Sequence, residues 1–140
     1  MLKKSHFRAA IAVSLGAIAG ALCRYYLSVQ LTQLLGIAFP WGTFGVNLAG
    51  CFLMGFVTAV AGRRWPLSPE LLLLLTTGFL GSYTTFSSYV LETALLSDRG
   101  DLLPTFAYWL GSPLLGIACL LLGTELADGL FFRWRRGDRP

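Results

Sequence analysis

Charge is scarce in this chain and confined to a few places. Only 13% of its 140 residues are Asp, Glu, Lys or Arg, against roughly 25% in soluble domains. No charged residue occurs over the 38 residues from Tyr25 to Gly62, the 21 from Leu71 to Leu91, or the 23 from Leu102 to Thr124. A helix of ~20 apolar residues crosses a ~30 Å hydrocarbon core, so these gaps describe an integral membrane protein and exclude a disordered chain. Histidine is almost missing: His6 is the only one, which excludes a histidine-based triad or metal cluster. Cys23, Cys51 and Cys119 lie in apolar stretches without paired spacing and read as small packing residues, not as a disulfide or metal site. Carboxylates are missing from the first half, where Glu70 is the earliest. A proton-coupled transporter needs an intramembrane carboxylate as relay, and the one candidate is Glu92, near the end of its span. An ion-coupled exporter is therefore disfavoured, and a membrane-embedded enzyme lacks a nucleophile–base pair.

What is present is apolar and rich in glycine: 55% of the residues are hydrophobic and sixteen are Gly. The pattern predicts an all-α membrane protein in which residues 1–140 form one domain of four transmembrane helices, over about 8–34, 43–61, 70–96 and 104–123, the last open to continuation as far as Phe132. Between the spans lie the break Ala38-Phe39-Pro40-Trp41-Gly42, a loop from Arg63 that ends in the helix start Ser68-Pro69-Glu70, and Asp98-Arg99-Gly100-Asp101. The tail from Arg133 is basic, and its tip is expected to be disordered. Lys3-Lys4 and the apolar stretch after them resemble a signal peptide, but no cleavage site followed by polar sequence appears. Of eleven Lys and Arg, nine flank the spans on the side of the termini, Arg99 is on the other side and Arg24 lies within a span. The positive-inside rule places the termini in the cytoplasm. The basic face is accounted for by the lipid bilayer, with no nucleic-acid partner.

Four helices of this size pack without a wide pore, so transport requires a dimer or a cavity. Arg24 at membrane depth costs at least ~2.5–3.5 kcal/mol at a helix centre; it either snorkels or draws anions into a vestibule. Asn47, between Val46 and Leu48, either bonds a neighbouring helix or faces a water-filled path. The strongest signal is the run from Gly78 to Tyr89, with Gly78 and Gly81 followed by hydroxyls at Ser82, Thr84, Thr85, Ser87 and Ser88. A continuous helix gains nothing from that composition. A helix broken mid-membrane does, because its freed carbonyls suit a hard cation and its new N-terminus suits an anion. Phe86 and Tyr89, three apart on one face, present aromatic edges of positive potential. Glycine spacing such as Gly16-x-x-x-Gly20 serves helix packing, which keeps a small structural or assembly subunit, or a small-solute transporter, as the alternative.

Three motifs together resemble the CrcB/Fluc family of small fluoride channels: Gly16 to Tyr25 with Arg24, Pro40 to Gly50 with Asn47, and Gly78-Phe79-Leu80-Gly81 with Thr84-Thr85-Phe86-Ser87. The resemblance covers essentially the full length. It implies passive export of fluoride across the cell membrane, lowering its toxicity in the cytoplasm, by an antiparallel dimer of dual-topology type with two narrow interfacial pores. It assigns Asn47 and Phe86 to the pore, Tyr108 and Ser112 to a polar track in the fourth span, and Arg24 to the vestibule. It also assigns the backbone carbonyls of Gly81 and Thr84, from both subunits, to a structural Na⁺ at the dimer centre. Two positions depart from the family pattern. Tyr89 stands where the family usually has a second pore Phe, so its hydroxyl reads as an addition to a retained ring; Gly116 stands where some members have a serine. The nine-to-one cation count conflicts with dual topology, leaving as second subunit either an inverted copy or an oppositely biased paralogue.

Overall fold

The computed structural model describes the backbone of residues 2–63 and 67–137 and the side chains of residues 6–62 and 67–130. Every regular element among the described residues is helical. Helix α1 (Leu2–Leu35) ends where Gly36 takes φ +86°, with its N–H on the Thr32 carbonyl at 2.9 Å. That left-handed stop is cheap only for glycine. The predicted break follows, and α2 (Trp41–Arg63) starts after Pro40. The Phe39 ring packs against Trp41, Phe44 and Tyr108, with centroids 4.6, 5.5 and 5.3 Å away.

The predicted helix start is present in full: Ser68 Oγ accepts the Leu71 N–H at 3.3 Å and Pro69 opens α3 (Pro69–Leu73). That helix runs into a π-helical segment (Leu74–Leu80) and the single turn α4 (Gly81–Tyr83). Thr84 and Thr85 are then extended, with ψ of 158° and 122°, before α5 (Phe86–Asp98) begins. The break expected between Gly78 and Tyr89 thus falls at Thr84–Thr85. A turn with Gly100 at φ +78° leads to α6 (Leu102–Gly137), which contains Pro113. This helix outruns the expected span end at Gly123 and carries Arg133, Arg135 and Arg136. The tail tip, Asp138 to Pro140, and the loop residues Arg64 to Pro66 lie outside the described residues.

Glycines set the packing. A Cβ on Gly16 or Gly20 would strike the backbone of Leu74, Gly78 or Phe79, and one on Gly78 would strike Val13 and Gly16. The same holds between Gly55 of α2 and Leu120 of α6, and between Gly123 of α6 and Phe52 of α2. Small residues let helix backbones approach this closely in lipid, so α1 lies on the π segment and α2 on α6. Arg8 of α1 and Glu70 of α3, the helix that leads into the π segment, form an ion pair at 3.2 Å. Three helical stretches, His6–Leu35, Trp41–Gly62 and Leu102–Leu130, are long and apolar enough to cross a membrane. Large apolar side chains such as Ile18, Leu22, Leu115 and Leu122 point outward, an arrangement suited to lipid contact and costly in water.

Candidate functional site

Breaking a helix in an apolar setting frees peptide groups that must find partners. Asn47, from the middle of α2, supplies them. Its Oδ1 accepts the Thr85 N–H at 2.8 Å and its Nδ2 donates to the Thr85 carbonyl at 2.9 Å. One side-chain amide thus pairs with both groups of one extended residue, as a neighbouring strand would. The two readings left open for Asn47 meet here, since it bonds the neighbouring segment and also lines a cavity. Thr85 then caps α5, its Oγ1 accepting the Ser88 N–H at 3.2 Å, and exchanges hydroxyl contacts with Ser87 and Ser88 at 3.2 and 3.1 Å. In a continuous helix the Thr85 N–H would go to the Gly81 carbonyl; its capture by Asn47 releases that carbonyl. Thr84 donates its N–H and hydroxyl back to the Leu80 carbonyl at 3.1 and 3.0 Å.

Beside the break is an open cavity of about 330 Å³ lined by Asn47, Thr84, Thr85, Phe86, Tyr89, Ser112 and Pro113, with Cys51 and Gly116 at its wall. Ser112 Oγ is buried and has no hydrogen-bond partner. Asn47 Nδ2 carries a second N–H beyond the one given to Thr85. Phe86 is 77% exposed, its ring 5.6 Å from that of Tyr89. Tyr89 lies 5.3 Å from the Tyr108 ring, and its hydroxyl donates to the Trp109 carbonyl at 2.6 Å. A spare amide N–H on Asn47, an unpartnered hydroxyl on Ser112 and two aromatic rings thus belong to residues lining one largely apolar space, groups of the kind that attract a small anion.

The structure therefore gathers Asn47, Thr84, Phe86, Tyr89 and Ser112 around one cavity. Tyr108 stands behind it, wholly buried, with its hydroxyl on Glu92 Oε2 at 2.7 Å. Gly81 is exposed near the break but does not line the cavity. Arg24 is half-buried on α1, apart from the cavity and without a salt bridge among the described residues. Sequence reasoning weighed Glu92 only as a candidate proton relay near the end of its span and passed over Thr43. The structure joins them: Thr43 Oγ1 donates to Glu92 Oε1 at 2.7 Å, so both carboxylate oxygens hold a hydroxyl. The usable signal was energetic, because a carboxylate in an apolar span requires donors.

The family profile described as CrcB-like protein, Camphor Resistance (CrcB), matches residues 11–124. A protein of Trichormus variabilis named fluoride-specific ion channel FluC is 53% identical over 128 residues, covering 90% of this chain and 93% of the relative. Proteins of the same name from Synechococcus and Synechocystis are 48% and 47% identical, covering 86% and 88% of this chain and 92% and 95% of their own lengths.

Proposed function

The chain belongs to the CrcB family, and from that membership we infer that it is a fluoride-selective channel of the cell membrane and not an enzyme. The observation that carries this reading on the structural side is the cavity at the helix break, lined by Asn47, Phe86, Tyr89 and Ser112, with the Ser112 hydroxyl unpartnered and buried just behind its surface. Fluoride is small and strongly hydrated, so a narrow dry path must replace its water with donors at short range. The second Asn47 N–H and, once its side chain turns to the cavity, the Ser112 hydroxyl supply such donors, and the Phe86 and Tyr89 edges add weaker attraction. The Tyr108 hydroxyl, held on Glu92, stiffens the wall behind Tyr89. Arg24 contributes a positive charge that raises the local anion concentration at the mouth. Passage involves no bond making, and the ion moves down its gradient, lowering fluoride in the cytoplasm.

Four spans follow if Pro69–Asp98 crosses as one broken segment, a reading supported by its close packing along α1 at Gly16 and Gly20. Phe86 then faces a second subunit inserted the opposite way up. The donor set for a structural Na⁺ fits the break: the Gly81 carbonyl has lost its helical donor, Gly81 is exposed and Thr84 is extended. Such an ion supplies a fixed positive charge that ties two copies together, and hard cations take oxygen ligands of this kind. By the positive-inside count the termini are cytoplasmic.

Efflux of fluoride and of chloride from liposomes holding the purified protein tests the reading. Fluoride efflux without chloride efflux is expected. Efflux of neither ion favours a structural or assembly subunit, and efflux of both favours an unselective small-solute transporter. Replacing Na⁺ throughout by a large organic cation is expected to lower fluoride efflux at unchanged pH.

A further inference from the structure

Pro113 sits inside α6 in the described structure, and proline has no N–H. A helix residue normally donates to the carbonyl four positions earlier, so Pro113 leaves the Trp109 carbonyl without its donor. In a transmembrane segment such a carbonyl must be met by a neighbouring group or remain unsatisfied in a medium without water. The Tyr89 hydroxyl meets it at 2.6 Å from α5, twenty positions away in sequence. Tyr89 and Pro113 both line the cavity beside the break and the outer groove between α5 and α6. The bond therefore lies at the wall between the two. It also fixes a ring flanked by Phe86 at 5.6 Å and Tyr108 at 5.3 Å.

We propose that Tyr89 and Pro113 act as one unit, the Tyr89 hydroxyl standing in for the amide hydrogen that Pro113 lacks, and that Tyr89 is thereby a positioning residue for the Phe86 side of the ion path. The hydroxyl is then not an incidental addition to a phenylalanine. It compensates for the amide hydrogen missing from Pro113 one helix away. The consequence for conduction rests on the fluoride-channel reading; the pairing itself does not.

The test is a double-mutant cycle on the full chain, with Tyr89→Phe, Pro113→Ala and their combination, read by thermal unfolding in detergent and by fluoride efflux from liposomes. Leaving a carbonyl unsatisfied in an apolar medium shifts a folding equilibrium about tenfold, so Tyr89→Phe alone lowers the unfolding midpoint and slows efflux several-fold. Pro113→Ala restores an N–H to the Trp109 carbonyl, so in that background the same Tyr89→Phe change costs less than half as much by either readout. If Tyr89→Phe fails to fold while the combination folds, the pairing is supported. Equal costs in the two backgrounds overturn it. Wild-type protein that moves no fluoride defeats the channel reading, yet the unfolding cycle still decides the pair. A Pro113→Ala protein too unstable to purify also overturns the proposal, since restoring the helical donor must not harm α6.

Discussion

Ser112 separates conduction from stability better than any other residue of the cavity. Its hydroxyl makes no hydrogen bond within the protein, so Ser112→Ala forfeits none and removes a polar atom from an apolar wall. The unfolding midpoint of Ser112→Ala is expected to be unchanged or slightly raised, while fluoride efflux falls roughly tenfold, the equivalent of one short hydrogen bond to the ion. Normal efflux would remove Ser112 from the path. Asn47 behaves oppositely. Asn47→Ala strands both peptide groups of Thr85, a loss of about 1–3 kcal/mol for each group left unsatisfied, and both folding and efflux are expected to fail together. At Phe86 the side chain is largely exposed on the outside of the chain, so Phe86→Ile removes an aromatic edge without opening a core. Fluoride efflux is expected to be lost with dimer elution on size exclusion unchanged; wild-type efflux would make Phe86 a packing residue only.

Helix contacts are the next scale, and glycine decides them. Gly123→Ala drives a methyl group into the Phe52 backbone, where no side chain can yield, and a cost of roughly 1–3 kcal/mol is expected. Gly129→Ala, with nothing within 4 Å of the added carbon, is expected to be neutral or mildly stabilising. Comparing the two unfolding midpoints checks the α2–α6 contact. The helices and the break were legible in the sequence because charge gaps, Ser68-Pro69-Glu70 and the hydroxyl cluster at residues 82–88 are local signals. Part of the cavity lining could be named from the sequence: Asn47 and Phe86 stand at motif positions, and Ser112 was named through the family resemblance alone. The π-helical register of Leu74–Leu80 was not, since it goes with the approach of Gly16 and Gly20 across a helix pair. Nor were the partners of Asn47, Glu92 and Tyr89, which sit 38, 49, 16 and 20 positions away. Such separations carry no periodicity for a single sequence to display.

Taken whole, the molecule presents a topological contradiction that one measurement resolves. On the proposed four-span arrangement nine basic residues fall on the side of the termini against Arg99 opposite, a bias that favours one orientation, whereas the proposed dimer needs two. Single cysteines placed in the tail and in the Asp98–Asp101 loop, with Cys23, Cys51 and Cys119 replaced, report orientation in intact cells by labelling with an impermeant reagent. Labelling from outside is expected at the loop in most copies and at the tail in few. The second subunit is then a minority of inverted copies or a paralogue of opposite bias. Near-equal labelling would overturn the bias argument and establish dual topology.

The clasp between Asn47 and Thr85 also bears on how the chain is made. A segment interrupted at Thr84–Thr85 enters lipid with two bare peptide groups and is a poor passenger for the insertion machinery by itself. The group that completes it belongs to α2, and Asn47 is synthesised 38 residues before Thr85. For this clasp, the order of elements along the chain supplies Asn47 before Thr85 needs it. An Asn47→Ala chain consequently meets its difficulty during synthesis, as a nascent segment held at the membrane surface and exposed to quality-control proteases.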